Sequence, residues 1–220
     1  MSNKIYQLIS WIFTPLFMPV FTLYVLFQLE ASSKNALDMK NNLFLLPASM
    51  KWIILSVFFI LTFLAPSLSL LIMQRKKIIA SIELNEREER SFPILLTGFY
   101  TLLLTFFVFN QLPTQYFSTI FHTIGILGIV SAVVAYIITL YVKMSIHAFG
   151  ASLATGTLIY YYDRFFVPDI RPLIAFIILG GIIMTARLQL GKHTVGQLVG
   201  GYTLGLILAL SIFPIVNYLI

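Results

Sequence analysis

Three short stretches of the sequence, 83–93, 143–147 and 187–197, concentrate the residues that could carry chemistry. They contain two histidines, His147 and His193. Histidine titrates near neutral pH, so it can act as a nucleophile or as a general acid. The same stretches are rich in arginine, whose planar fork of donors fits phosphate oxygens. This combination suits phosphoryl transfer: one imidazole attacks phosphorus, the other protonates the leaving oxygen, and the cations stabilise the developing charge.

Each stretch taken alone has a simpler interpretation. Basic residues at helix ends commonly extend toward lipid headgroups, and a single histidine near a membrane surface is often only a polar interfacial residue. His122 is expected to be such an interfacial residue, on the side opposite the three stretches. The glutamates of the first stretch are expected to pair with arginines of the same stretch along a short helix.

The composition indicates which elements must position these residues. The chain has 220 residues, of which 59% are hydrophobic and only 10% charged, and its mean hydropathy is +0.94. A soluble domain is about 45–50% apolar and about a quarter charged. The bilayer is therefore the expected solvent, and a soluble enzyme or a nucleic-acid module is excluded. The net charge of +6 is attributed to loops facing anionic headgroups rather than to nucleic acid.

The sequence predicts one all-α domain over residues 1–220, a polytopic membrane bundle of six or seven transmembrane helices. Spans in lipid must be helical because an open strand edge would leave backbone groups without partners. The predicted spans are 8–28, 52–73, 93–110, 120–142, 145–162, 173–186 and 194–219. Seven spans would place all three polar stretches at one membrane surface, each at or beside a helix N-terminus that favours anions. Whether this surface is cytoplasmic stays open, because the distribution of basic residues does not decide it.

The spacing within these stretches resembles that of a known family. Five residues separate Arg187 from His193, and three separate His193 from Gln197. This spacing resembles the third signature of the type 2 phosphatidic acid phosphatase superfamily, in which an aspartate takes the last position. Ser145-Ile-His147 resembles its second signature, Pro-Ser-Gly-His. The resemblance extends over roughly 83–205.

The resemblance implies a role for each matched residue. His193 would be the nucleophile that forms a phosphohistidine, and His147 the acid that protonates the leaving group. Arg187 and Ser145 would bind the phosphate. The superfamily is helical and metal-independent, so no cofactor is expected, and its substrates are largely lipid phosphates and diphosphates.

The chain also departs from the family pattern. Gln197 replaces the aspartate, so it can orient His193 but carries no charge to stabilise an imidazolium. Ala186 replaces the serine before Arg187, which removes one phosphate donor. The first signature fits only at Arg90, since Glu83 stands at its lysine position; Arg87 or Lys143 would have to supply the missing cation.

We expect an integral membrane phosphatase that hydrolyses a lipid phosphate or diphosphate. The protein would be a divergent bacterial member of the family and would lie in the inner membrane. Its expected partners are that substrate and the membrane lipids. The alternative is a catalytically degenerate relative that binds or transports anionic lipid without hydrolysis. A proton- or ion-coupled transporter is the third class, but it would require ionisable residues in mid-span, and few are evident.

Overall fold

The computed structural model describes residues 3–33, 42–84, 88–112 and 117–219. Most of these residues are helical. The α-helices are α1 (Asn3–Ile12), α2 (Met18–Gln28), α3 (Ala48–Phe58), α4 (Ala65–Arg75), α5 (Ser91–Gln111), α6 (Thr119–Tyr141), α7 (Ile146–Arg164), α8 (Arg171–Gln189) and α9 (Val195–Leu219). A π-helical segment, Phe59–Leu64, joins α3 to α4, and short 3-10 helices form at Leu43–Leu45 and Glu88–Arg90. A two-residue antiparallel pairing links β1 (Ser32–Ser33) to β2 (Phe165–Phe166). The all-α fold class is confirmed.

Within the described ranges, five helical stretches are long and apolar enough to cross a membrane. They are Ala48–Arg75, Glu88–Gln111, Thr119–Tyr141, Arg171–Gln189 and Val195–Leu219. This composition is that of an integral membrane protein. The expectation of six or seven spans is not confirmed, because the first and fifth predicted spans differ from the structure.

The first predicted span, 8–28, is divided into two short helices. α1 ends at Ile12 and α2 begins at Met18. Pro15 causes the break, because proline lacks an N–H and disfavours helical backbone at the residue before it. Pro19 is tolerated in the first turn of α2, where a free N–H is expected anyway. The 11 residues of α2 extend over about 16 Å, half of a hydrocarbon core.

The fifth predicted span corresponds to α7, which has 19 residues but a less apolar composition than the five spans. α7 is the central helix of the bundle and packs on α9, α8 and α2. It therefore faces protein over most of its surface and can carry small polar residues. The buried hydroxyls of Ser152, Thr155 and Thr157 each donate to the backbone of their own helix, which avoids unpaired polar atoms.

Glycines allow α7 and α9 to pack closely. A Cβ atom built on Gly205 would lie 2.6 Å from the backbone oxygen of Phe149, and one on Gly201 would lie 2.9 Å from that of Ser145. On α7, a Cβ on Gly156 would lie 2.6 Å from the Cβ of Ala209. The small-residue spacing of α9 therefore has a packing role, as in membrane helix pairs generally.

We expect Gly205→Ala to lower the thermal stability of the protein in detergent, because the new methyl group would push against the backbone of α7. Overpacking of this kind costs about 1–3 kcal/mol. The matched control is Gly181→Ala on α8, where nothing lies within 4 Å of the new Cβ. That variant should melt at or above the wild-type temperature. Equal melting temperatures for the two variants would contradict the packing role of Gly205.

Candidate active site

A cavity of about 270 Å³ lies among α2, α5, α6 and α7. Arg90, His147, Arg187 and His193 all line it. From His147 the cavity continues along α7 as far as Thr157, a distance of about 15 Å along the helix axis. Most of this extension has apolar walls. The cavity therefore joins a cationic end to an apolar one.

Local backbone structure builds the spacing between Arg187 and His193. Gly191 has a φ of +65°, in the left-handed region that favours glycine. The N–H of Lys192 donates to the carbonyl of Arg187 at 3.1 Å, and that of Gly191 donates to Leu188 at 2.9 Å. This is a Schellman motif, which ends α8 and reverses the chain direction. Arg187 is thus held in the last turn of α8, a few residues from the start of α9.

The start of α9 is a capping box formed by Thr194 and Gln197. The N–H of Gln197 donates to Thr194 Oγ1 at 3.4 Å, and the N–H of Thr194 donates to Gln197 Oε1 at 3.2 Å. A Thr-x-x-Gln pattern just before an apolar run is a recognised sequence signal for this motif. The signal is therefore present in the sequence, although the family resemblance implies only an orienting role for Gln197.

The capping box determines the proton position on His193. Gln197 Oε1 accepts from a backbone N–H, so it is the oxygen of the amide that faces His193. His193 Nδ1 lies 3.2 Å from this oxygen and must therefore carry the hydrogen. In the neutral ring Nε2 then has a free lone pair, which is the form that a nucleophile requires.

Burial and nearby cations keep His193 neutral. The residue is only 7% exposed. Desolvation, followed by the positive charge of Arg187, lowers the pKa of His193 to about 4, although the hydrogen bond to Gln197 acts in the opposite direction. The charges of Arg90 and Lys143 act in the same direction as that of Arg187. His193 is therefore an unprotonated imidazole at pH 7.

His147 lies in the first turn of α7, and the preceding residues hold the helix end. The hydroxyl of Ser145 accepts from the N–H of Ala148 at 3.4 Å and so caps the helix. The N–H of Ser145 donates to the carbonyl of Gln197 at 3.3 Å. Ser145 is fully buried and does not line the cavity, so the structure assigns it a capping role and shows no path to a bound phosphate.

The two arginines are nearly fully buried. Arg90 is 4% exposed, and it donates from Nε to the carbonyl of Leu84 and from Nη1 to that of Met144, at 2.8 and 3.0 Å. Arg187 is 3% exposed, and its Nη1 donates to Ser10 Oγ at 2.8 Å. Its Nε is buried and has no hydrogen-bond partner in the described part of the chain. An unpaired donor of a buried guanidinium is costly, so an acceptor is expected in the cavity.

Ser10 was missed by the sequence analysis. It lies 177 residues from Arg187, on α1, and no spacing pattern connects the two. His147 Nε2 is 3.2 Å from its carbonyl oxygen and 3.4 Å from its hydroxyl. Ser10 of α1 therefore contacts both Arg187 and His147.

The remaining charged candidates of the three stretches are Lys143, Arg87 and Glu83. Lys143 is half-buried and does not line the cavity. Arg87 lies outside the described residues, so the pairing of Glu83 with an arginine of its own stretch stays a prediction. Glu83, which stands at the lysine position of the resembled signature, forms an ion pair with Lys192 at 2.8 Å. This pair holds the pKa of Glu83 below its usual value and joins the chain before α5 to the turn before α9.

His122 lies in the first turn of α6 and is enclosed by protein. It is 1% exposed and packs edge-on against Phe109, with ring centroids 4.7 Å apart. It does not line the cavity that contains Arg187 and His193. No group of acidic, histidine or cysteine side chains in the described ranges has the arrangement of a metal site.

No family model, no curated protein and no solved structure matches this chain. The geometry of the cavity is therefore the basis for any functional conclusion.

We expect His193 to titrate near pH 4 rather than near pH 6.5. Since the unfolded chain keeps the ordinary pKa of about 6.5, protons bind preferentially to the unfolded state between these values. Stability contributed by neutral His193 is thus complete above pH 6.5 and is lost as the pH falls toward 4. Carbon-13 NMR of the three histidines would measure this, with His193→Gln to assign the signal. A midpoint near 6.5 would contradict the burial and charge argument.

Proposed function

We propose that the protein is an integral membrane phosphatase that hydrolyses a lipid phosphate or diphosphate through a phosphohistidine on His193. The observation that carries this proposal is the free lone pair of His193 Nε2 in a cavity shared with Arg187, Arg90 and His147. A buried, neutral imidazole beside buried guanidinium groups is suited to attack an anionic phosphorus centre.

The reaction would proceed in two steps. His193 Nε2 attacks phosphorus and the bond from phosphorus to the leaving oxygen breaks. His147 takes up a proton from water when the negative charge of the substrate binds beside it, and it supplies this proton to the leaving oxygen. Water then attacks the phosphohistidine, His147 takes a proton from it, and the nitrogen–phosphorus bond breaks to release inorganic phosphate. Arg187 would hold the phosphoryl oxygens through guanidinium N–H groups that do not bind Ser10. Arg90, already bonded to two carbonyls, would add its positive charge.

The apolar part of the cavity supports a lipid substrate. Leu104, Ile124, Leu127 and Leu153 contribute to its walls and come from three different helices. Burying a hydrocarbon tail there contributes about 25 cal/mol for each Å² of apolar surface removed from water. A phosphate at the cationic end and a tail along α7 would use the whole cavity.

A second candidate function is binding of an anionic lipid without hydrolysis. Gln197 is the observation that favours it, because a neutral amide orients His193 but does not stabilise the positive charge that the ring acquires after attack. The two functions share the headgroup site and differ in whether phosphate is released.

We expect purified protein in lipid nanodiscs to release inorganic phosphate from one or more of phosphatidic acid, phosphatidylglycerol phosphate, diacylglycerol pyrophosphate and undecaprenyl diphosphate. His193→Ala should abolish the release because the nucleophile is lost. His122→Ala is the matched control, since that histidine is buried away from the cavity. Equal rates for wild type and His193→Ala would refute the nucleophile. Lipid binding without any release would favour the second function.

We expect Ser131→Leu to reduce activity on long-chain substrates at least tenfold while activity on a water-soluble, short-chain phosphate is retained. Ser131 lines the apolar part of the cavity, and its hydroxyl only donates to the backbone of its own helix. Leucine would occupy space needed by the tail. Ser56→Leu is the control, because Ser56 makes the same kind of hydrogen bond on an exposed face of α3. Equal loss on both substrates would contradict a tail in the cavity.

A further inference from the structure

α1 exposes its large apolar residues and buries a polar one. Ile5, Leu8, Trp11 and Ile12 are 43–62% exposed, whereas Ser10 is 3% exposed and is the one buried residue of this fully described helix. In lipid this pattern is expected, because apolar side chains can face the hydrocarbon while polar side chains turn toward partners in the protein. Ser10 therefore lies on the face of α1 that packs against the protein, next to Ile9, which packs on the hydrophobic core.

Ser10 offers two acceptors, and each binds a different residue of the cavity. Its hydroxyl accepts from Arg187 Nη1 at 2.8 Å. Its carbonyl lies 3.2 Å from His147 Nε2, and since a carbonyl only accepts, this nitrogen carries the hydrogen. The carbonyl is available because it belongs to the last turn of α1, which ends before Pro15 and leaves its final carbonyls without helical partners.

These contacts occupy only part of the hydrogen-bonding capacity of Arg187 and His147. With Nη1 bound to Ser10, the guanidinium of Arg187 is oriented while its Nε stays buried and unpaired. With Nε2 bound to the carbonyl, His147 has Nδ1 left to exchange a proton. Both residues line the cavity, whereas Ser10 does not. Ser10 thus acts through its two neighbours.

We propose that Ser10 is a positioning residue of the phosphate site, which orients the Arg187 guanidinium through its hydroxyl and the His147 ring through its carbonyl. The inference rests on the proposed phosphatase function and adds the N-terminal helix to that site. A donor fork held in place before the ligand arrives loses less freedom on binding, so its orientation contributes to affinity.

The test is Ser10→Ala, which removes the hydroxyl but keeps the carbonyl. We expect KM for the best lipid phosphate to rise about tenfold or more, as for loss of a hydrogen bond to a charged group, with a smaller change in kcat. The Kd for inorganic orthovanadate, a phosphate analogue, should rise by a similar factor. Ser10→Thr should restore both values because it keeps the hydroxyl. Ser56→Ala is the control for loss of a serine outside the cavity.

A double-mutant cycle separates positioning from a general structural role. In an Arg187→Ala background, Ser10→Ala should have little further effect on orthovanadate affinity, because the guanidinium it orients is gone. A full additional loss, or wild-type affinity for Ser10→Ala alone, would overturn the proposal. The melting temperature of each variant shows whether it is folded.

The vanadate measurement also separates this inference from the proposed function. If the wild-type protein releases no phosphate but binds orthovanadate in a manner that depends on both Arg187 and Ser10, hydrolysis fails and the positioning role is supported. If the wild-type protein neither releases phosphate nor binds orthovanadate, both are overturned.

Discussion

The close approach of α7 and α9 is the constraint on which the rest of the structure depends. Gly201 and Gly205 permit it, because any Cβ atom at either position would press on the backbone of α7 or of the residue that caps it. The approach brings the N–H of Ser145 onto the carbonyl of Gln197. One backbone hydrogen bond thereby connects the start of the helix that carries His147 to the start of the helix that follows His193. Small residues let two helices approach closely in lipid, and the resulting van der Waals packing holds the N-terminal ends of α7 and α9 together.

The electrostatics of the site follow from burial. The burial of His193 itself, together with the positive charge of two guanidinium groups almost completely removed from water, keeps its ring unprotonated. An anion entering the cavity would partly neutralise this charge, satisfy the unpaired Nε of Arg187, and make protonation of nearby imidazoles less costly. The pair between Glu83 and Lys192 lies at the same end of the cavity and joins two chain segments, and Glu83 also interacts electrostatically with Arg187. One carboxylate does not offset Arg90, Arg187 and Lys192, so the described side chains at this end carry an excess of positive charge.

The spacing of the candidate site residues near the start of α9 depends on local interactions. The spacing from Arg187 to Gln197 depends on a Schellman motif and a capping box, which involve residues within a few positions of one another. Such motifs have recognisable residue patterns. Hydropathy predicts one span over 8–28, but Pro15 breaks the helix there. The sequence also did not predict the contacts of Ser10 or the pair between Glu83 and Lys192, because pairs of residues distant in the chain produce no periodic signal.

The sequence by itself determined the solvent, the helical class and the kinds of side chain available for chemistry, since apolar runs in lipid must satisfy their own backbone hydrogen bonds. It also determined the local turn that places Arg187 and His193 on either side of Gly191. Only the tertiary structure decided that α7 is enclosed by protein, that Glu83 binds Lys192, and that Ser10 of α1 contacts Arg187. These outcomes depend on how helices distant in the chain pack together, which is set by the shape of whole surfaces rather than by any one segment.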